Sequence, residues 1–378
     1  MQLSAKERSS SDALVRWLVL FLMSWQAAFN ISHQAMQQLL KFLGRFFYVL
    51  AKITYSPVRS YLAPAFPSSL FLIRKYLHLH DKFVTYAVCG RCHSIYKVTE
   101  CILKNADGST MPKRCDYVQF PNHRQSYRRI ACCGPLLKHV TLSNGKMQYY
   151  QRHSYVYMSI TDSLERLLMR HGIANKLQHW KERQVPDQCF SDIYDGKVWK
   201  EFGDFFARPR NYALMLNLDW FQPFDHTNDS VGVLYMTVLN LPRHERFRRE
   251  NVLLIGIIPA LGKEPSDVNS FLEPVVKELK ELQKGVRMHT SESPRYKVTV
   301  RALLLCAACD IPAARKLCGF KGHNANYGCS RCLKFFPGDL GSKDYSGFDR
   351  DSWTPRNIHS HRQKATEIKD ACSMQRNR

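Results

Sequence analysis

The sequence has no long apolar run. Its best candidate, WLVLFLM from Trp17 to Met23, follows Arg16 and falls well short of the ~20 apolar residues that a membrane-spanning helix needs. A signal peptide is not supported either, because the polar, acid-containing stretch MQLSAKERSSSD precedes this short run. We therefore expect no membrane partner and a buried amphipathic helix in this region.

Acidic residues are scarce. The chain has 32 Asp and Glu against 55 Lys and Arg, which gives a formal net charge of +23. This excess is larger than solubility requires and indicates a polyanionic partner, with nucleic acid favoured over an anionic membrane surface. Disorder is excluded, because 378 residues with 45% hydrophobic content can form two or three domains with real cores.

The cysteine content argues against disulfides. The chain has 13 cysteines, an odd number, and several form close Cys-x-x-Cys pairs. This pattern is typical of reduced thiols and metal ligands in an intracellular protein.

Composition changes along the chain predict five segments. Residues 11–55 have apolar positions at helical spacing and predict two or three packed helices. A further helical stretch is predicted for residues 163–183. The segments are 1–75 (helical), 76–155 (cysteine-rich, basic and zinc-binding-like), 156–210 (helical connector), 211–320 (core) and 321–378 (with a second cysteine pair).

The core segment has a regular pattern that predicts an α/β fold. YALMLNLDW, VGVLYMTVLNL and ENVLLIGIIP read as three consecutive strands, and FLEPVVKELKELQKGV as an amphipathic helix. Val298 to Cys309 predicts a fourth strand buried on both faces, and IPAARKLCGF opens a second helix. The predicted order is βββαβα.

Two aspartates stand at strand ends. Asp219 and Asp310 follow apolar strands and are 310 − 219 = 91 residues apart. If the first and fourth strands are adjacent and parallel, as in a ribonuclease H-like core, the two carboxylates meet at one edge and can hold the Mg²⁺ or Mn²⁺ ions that phosphoryl transfer uses. The alternative is structural: Asp310 caps the helix at Ile311, and Asp219 is a turn residue.

Two cysteine groups predict zinc. Cys89 and Cys92, followed by Cys115 and His123, offer the four soft ligands of a closed structural site, and His93, Cys101 or Cys132 is an alternative for one of them. Cys329 and Cys332 form a second pair. Its candidate partners are His323, Cys318, His359 and His361. Unligated thiols are the alternative for both groups.

Residues 111–155 combine cations with aromatic residues. Eight Lys and Arg stand against Asp116 alone, and aromatic residues are interleaved, among them Tyr117, Phe120, Tyr127, Tyr149 and Tyr150. This mixture is typical of surfaces that contact phosphates and stack on bases. A solvated basic face is the alternative. The nucleic-acid contacts that we predict are Lys113, Arg114, Arg124, Arg128 and Arg129.

Most of residues 65–365 resembles the CACTA-type (En/Spm) transposases. The resemblance is carried, in order, by FVTYAVCGRCHSIY, SDIYDGKVWKEF, NYALMLNLDWFQPFDHTNDSVGVLYMTVLNLPRHERFRRENVLLIGIIP, FLEPVVKELKELQKGV and CDIPAARKLCGFKGHNANYGCSRC. The resemblance implies a DDE/D transposase with a ribonuclease H-like fold, in which Asp219 and Asp310 are the first two catalytic acids. It also implies a nuclear protein that binds transposon ends and target DNA, with a homo-oligomer as a further expectation.

The resemblance stops before the family's third acid. That residue follows a long insertion in the family, whereas this sequence ends at CSMQRNR, and Glu367 and Asp370 lie in a short basic tail. We therefore expect an incomplete core and strand transfer that is very slow, absent or dependent on a partner. The second hypothesis is a non-catalytic, zinc-dependent DNA- or protein-binding module, and the third is a membrane-surface protein.

Overall fold

The computed structural model describes residues 5–54, 65–77, 79, 82–184, 186, 189–223, 229–262, 264–265, 267–322, 325–339, 342–344, 346 and 353–374. The chain divides into two compact units, Met1–Lys82 and Phe83–Arg378. The first is helical and the second contains a large mixed sheet with helices, so the predicted α/β class is confirmed.

The first unit confirms the helices predicted from the apolar spacing of residues 11–55. Its helices are α1 (Ala5–Ala28), α2 (His33–Thr54) and α3 (Leu70–Tyr76). Val19, Met36 and Leu40 are fully buried in its core. Within the described part of the chain, no helix is both long enough and apolar enough to cross a membrane.

In its described residues, the second unit has twelve strands and eight α-helices. The strands are β1 (Phe83–Val88), β2 (Ile95–Lys97), β3 (Ile102–Lys104), β4 (Thr110–Pro112), β5 (Leu137–Thr141), β6 (Met147–Gln151), β7 (His153–Met158), β8 (Asn211–Phe221), β9 (Val231–Val238), β10 (Val252–Ile258), β11 (Val286–Thr290) and β12 (Ser293–Ala307). The helices are α4 (Ile160–Leu168), α5 (Ile173–Gln178), α6 (Lys197–Glu201), α7 (Gly203–Ala207), α8 (Arg243–Arg246), α9 (Asn269–Lys284), α10 (Ile311–Leu317) and α11 (Ile358–Met374).

Eight strands form one sheet in the order β11-β12-β8-β9-β10-β7-β1-β2. All neighbours are antiparallel except β12 and β8, which are parallel. Side chains of β8 alternate between the two faces, as the strand period of two requires. Leu214, Leu216 and Leu218 enter a core that also contains residues of α4 and α9, such as Leu164 and Phe271.

The other face of β8 is covered by aromatic residues of the connector. Ala213 lies in a cluster with Tyr194, Trp199 and Phe206, all of them buried. The Trp199 and Phe206 rings stack with their centroids 4.2 Å apart. Both faces of the strand that carries Asp219 are therefore covered over most of its length, which fixes the position of its exposed end.

The predicted βββαβα order is confirmed as β8, β9, β10, α9, β12 and α10, with the one-turn helix α8 between β9 and β10 and the strand β11 before β12 as additional elements. Two details differ from the expectation. The helix predicted for 163–183 is interrupted, because Gly172 adopts a left-handed φ of 72° between α4 and α5. Burial of β12 on both faces was also wrong, since Leu304 is 40% exposed and Cys306 is exposed.

Candidate functional site

Four cysteine side chains converge beside the sheet. The Sγ atoms of Cys89, Cys92, Cys115 and Cys132 all lie within 4.8 Å of one another. Two of the separations are short: 3.7 Å between Cys89 and Cys132, and 3.4 Å between Cys92 and Cys115. Four sulfurs around a tetrahedral ion with ~2.3 Å bonds stand ~3.8 Å apart, so the cluster can hold a metal ion.

Backbone pairing brings these residues together. Cys89 follows β1 directly, and a turn closed by His93 N donating to Cys89 O at 2.9 Å presents Cys92. Cys115 and Cys132 lie on two facing segments, in which Cys132 N donates to Tyr117 O at 2.8 Å. Each half of the cluster is therefore positioned by main-chain hydrogen bonds.

The cluster is buried and closely packed. Cys89 and Cys115 are 0% and 1% exposed, within a small core that also includes Leu136. A Cβ atom on Gly134 would lie 2.5 Å from Cys89 Sγ, a separation too short for any side chain. Glycine is needed at this position because the chain passes directly over a cluster thiol.

The thiols differ in their electrostatic surroundings. Burial raises the pKa of Cys92, Cys115 and Cys132 above the usual value. Burial has the same sign at Cys89, but backbone N–H groups of Cys92 and Arg91 hydrogen-bond its sulfur and leave the pKa of Cys89 lowered. Protons compete with a metal for the buried thiols, so metal binding here is expected to weaken at acid pH.

Tyr96 borders the cluster. Its hydroxyl lies 3.2 Å from Cys115 Sγ and donates to Asp116 Oδ1 at 2.7 Å. Lys113 Nζ is 2.7 Å from the other oxygen of Asp116. Outer hydrogen bonds of this kind orient the ligands of a metal site.

The structure places the other predicted ligands outside the cluster. His123 is buried, and its Nδ1 accepts a hydrogen bond from Gln125 N at 3.0 Å. Cys101 is also buried, but its thiol donates to Lys97 O at 3.3 Å. Cys132, which the sequence offered as an alternative ligand, is therefore the fourth member of the cluster in place of His123. Cys115 and Cys132 are both visible in the sequence as possible ligands. That their two segments pair beside Cys89 and Cys92 follows only from the fold.

The second pair, Cys329 and Cys332, forms a turn near the surface. Arg331 N donates to Cys329 Sγ at 3.3 Å. Burial raises the pKa of Cys329, but hydrogen bonds from the backbone of Arg331 and Cys332 outweigh burial and leave this pKa lowered. The described residues provide no third ligand that would complete a group with this pair.

The candidate partners of the second pair are dispersed or undescribed. Cys318 and His359 are exposed, and the ring of His361 lies 4.7 Å from that of Phe320. His323 lies outside the described residues.

The two aspartates lie at one edge of the sheet. Ala307 of β12 pairs with Leu216 of β8, and the offset is the same as that between Asp310 and Asp219 (307 − 216 = 310 − 219 = 91). Beyond this pair the backbone that follows β12 stays in contact with β8, because Leu218 N donates to Cys309 Sγ at 3.2 Å.

Electrostatics agree with this proximity. The pKa of Cys309 is raised by burial and, further, by the negative charges of both Asp310 and Asp219. Both carboxylates are exposed. An exposed pair of carboxylates at a sheet edge can hold a divalent cation.

Each aspartate also has a structural contact. Asp219 Oδ1 accepts from Trp220 N at 2.9 Å, and Asp310 Oδ1 accepts from Ala313 N at 2.7 Å as the N-cap of α10. In the part of the chain that the structure describes, no third carboxylate forms a metal-binding group with them. Glu367 is exposed on α11 and accepts from Gln363 Nε2.

The region around both aspartates also matches a known family. Residues 187–343 match the family model described as transposase family tnp2. The tnp2 match contains Asp219, Asp310 and the second cysteine pair, and it supports a transposase family for this chain. It begins after the four-cysteine cluster. No curated protein matches the chain.

The predicted basic contacts lie before the tnp2 match and next to the cysteine cluster. Several are already engaged: Lys113 pairs with Asp116, Arg114 Nη1 donates to Cys133 O at 3.3 Å, and Arg129 Nε donates to His123 O. The guanidinium of Arg128 lies 5.9 Å from the Tyr127 ring centre, and Arg124 is exposed. Lys113, Arg114 and Arg129 therefore hold parts of the cysteine-rich segment together as well as making its surface positive.

Proposed function

We propose that this chain is a transposase-derived DNA-binding protein of the CACTA type (En/Spm). In this proposal zinc occupies the four-cysteine cluster, and Mg²⁺ or Mn²⁺ binds at Asp219 and Asp310. The observation that carries it is the parallel pairing of β8 and β12, which brings both aspartates to one sheet edge inside the residues that match a transposase family.

The strand order supports a ribonuclease H-like core as the finer fold. Three antiparallel strands, β8, β9 and β10, are followed by α9 and by β12, which returns beside β8 in parallel. Such a return places the ends of the first and last of these strands at the same edge. Functional residues at the end of adjacent parallel strands are a common arrangement in α/β proteins.

The proposed chemistry is cleavage and transfer of DNA phosphodiesters. Divalent ions at a pair of carboxylates stabilise the attacking and leaving oxygens of an in-line phosphoryl transfer. In this chain Asp219 and Asp310 would hold the ions, and the net charge of +23 would attract the phosphate backbone. Transposon ends and target DNA would be the substrates, in the nucleus, and self-association would bring two ends together.

The test is a plasmid-nicking assay. Purified protein is incubated with supercoiled plasmid and Mn²⁺, alongside Asp219→Asn and Asp310→Asn, and nicked product is measured over time. We expect slow nicking that both variants abolish. Asp107→Asn, at an exposed carboxylate elsewhere in the second unit, is the matched control and should nick like the parent.

A second candidate is a non-catalytic DNA-binding module that depends on zinc. The observation in its favour is that Asp310 already serves as a helix cap, while the described residues supply only two carboxylates at the edge. Under this candidate no preparation nicks DNA, yet removal of zinc by a chelator abolishes DNA binding and added zinc restores it. Nicking that survives in both aspartate variants would instead indicate a contaminating nuclease and would reject the first proposal.

A further inference from the structure

The hairpin of β11 and β12 contains an uneven pairing. Met288 pairs with Val298, and Thr290 pairs with Ser293. Between these two pairs, β11 has one residue, His289, whereas β12 has four. We call these four residues, Pro294, Arg295, Tyr296 and Lys297, the 294–297 bulge. Extra residues on one strand are displaced from the ladder, and bulges of this kind redirect side chains at sheet edges.

Hydrogen bonds hold the bulge and its base. Ser293 Oγ, from the residue just before the bulge, donates to Tyr296 O at 2.7 Å. At the base, His289 N donates to Glu165 Oε1 of α4 at 2.7 Å, and Ser291 N donates to Leu168 O at 2.8 Å. Met288 is fully buried beneath the hairpin. The bulge is thus presented on a fixed support and is not a free loop.

The bulge exposes side chains for which the fold has no evident use. All four residues are exposed, and Tyr296 is 76% exposed. Within the described residues, neither Arg295 nor Lys297 forms an ion pair with a carboxylate. Arg287, on the neighbouring β11, is also exposed and has no such pair. Among the strands that the structure describes, β11 is the last on its side of the eight-stranded sheet, and no other strand covers the hairpin there.

This set of side chains has the chemistry of a nucleic-acid contact. Guanidinium and ammonium groups bind phosphate oxygens, and an exposed tyrosine adds a flat surface against sugar or base. Arg295 and Lys297 flank Tyr296 directly in the sequence, so two cations stand on either side of the exposed ring.

The bulge also differs from the basic segment near the cysteine cluster. There, Lys113, Arg114 and Arg129 already contact groups of their own segment. For a cation without such a partner, binding a phosphate costs less free energy, because no existing contact has to be broken.

We propose that the 294–297 bulge binds the phosphate backbone of duplex DNA. The inference rests on the DNA binding proposed above and adds to it a specific contact, on an element remote in sequence from the predicted basic segment. Because the contact is to phosphate, it contributes affinity without sequence preference.

The test measures DNA affinity as a function of salt. The zinc-loaded full chain is titrated into a fluorescent duplex of random sequence over a series of KCl concentrations. We expect Arg295→Gln/Lys297→Gln to bind roughly tenfold more weakly at moderate salt, and its log–log salt slope to fall by about 1.8, because each lost phosphate contact removes about 0.9. Lys277→Gln/Lys280→Gln is the matched control, since it removes the same charge from exposed positions of α9.

Each outcome decides the proposal. A bulge variant that binds with the parent's affinity and slope overturns it while leaving the proposed DNA binding intact. Equal losses in the bulge and α9 variants overturn it too, because net charge alone would then explain the effect. A parent chain that binds no DNA rejects both this inference and the function on which it rests. Unchanged thermal unfolding of the variants excludes a folding defect, as their exposed positions lead us to expect.

Discussion

Two of the three Cys-x-x-Cys pairs of this protein, Cys89/Cys92 and Cys329/Cys332, have similar turns and different surroundings. In each, backbone N–H groups of the turn hydrogen-bond the first sulfur and lower its pKa, at Cys89 and at Cys329, despite burial. Around Cys89 the chain adds Cys115 and Cys132, all within 4.8 Å. Around Cys329 the described residues add no further ligand, and the neighbouring groups are cations: Arg356 Nε donates to Cys329 O at 2.9 Å.

The difference shows that the turn and the site have separate origins. In these two pairs the turn is closed by local hydrogen bonds, from His93 N to Cys89 O and from Arg331 N to Cys329 Sγ. A closed site needs ligands from distant parts of the chain, and at the first pair the segments near Cys115 and Cys132 supply them by pairing with each other. At the second pair, Arg315 and Arg356 hold the loop by donating to backbone carbonyls such as that of Tyr327.

The largest expected effect comes from removing one cysteine from the four-cysteine cluster and one from the second pair. Cys115→Ser should lose the bound zinc and several kcal/mol of unfolding free energy, since structural zinc supplies on the order of 10 kcal/mol in isolated zinc-finger peptides. Cys332→Ser should keep about one zinc per chain and lose much less stability. Elemental analysis and urea unfolding measure both quantities. Two zinc ions in the parent and one in each variant would show that both pairs bind zinc. That result would contradict the conclusion that only the first pair belongs to a closed site.

A smaller effect separates the fourth position from its sequence-based alternative. Cys132→Ser should weaken zinc affinity by more than the ~10–100-fold that loss of an outer hydrogen-bonding partner typically costs, because it removes a ligand. His123→Ala should weaken zinc affinity by no more than this ~10–100-fold, since His123 Nδ1 accepts a hydrogen bond from Gln125 N and is not a member of the cluster. Competition with a chromophoric chelator measures both. Cys133→Ser, at the exposed neighbouring thiol, is the control. A larger loss in His123→Ala than in Cys132→Ser would contradict the four-cysteine arrangement.

The smallest effect tests how closely each pair is packed. Gly134→Ala places a Cβ against Cys89 Sγ and should cost about 1–3 kcal/mol, the usual range for overpacking. Gly322→Ala, which precedes the second pair and has open space around its Cβ position, should change stability by about 0.5 kcal/mol or less. Chemical unfolding of the zinc-loaded proteins gives the comparison. Equal costs would mean that the chain over the cluster can shift away.

Much of the core could be predicted from the sequence because its signals are local. β8, β9 and β10 are apolar runs between turn residues, and α9 has apolar residues at helical spacing. The interruption at Gly172 could not be predicted with the same ease, since one glycine inside a helical pattern is often tolerated. The partial exposure of β12 depends on which elements cover the sheet there, and no property of β12 itself reveals it.

The candidate site was only partly predictable for a similar reason. Cys89, Cys92 and Cys115 are recognisable from their spacing, but the choice between Cys132 and His123 depends on how two segments pair. The 294–297 bulge was not predicted, because the apolar pattern begins only at Val298, whereas β12 begins at Ser293.

By itself, the sequence determined the α/β class, the order of the core elements, the cationic character of the chain and the residue types that can bind metal. These properties follow from apolar periodicity and from charge, which a chain has before it folds. The tertiary structure alone decided which residues meet. The parallel return of β12 beside β8 brings Asp219 and Asp310 to one edge, and strand pairing makes Cys132 the fourth member of its cluster. Contacts between residues far apart in sequence depend on register and burial, and neither is a property of any short stretch of chain.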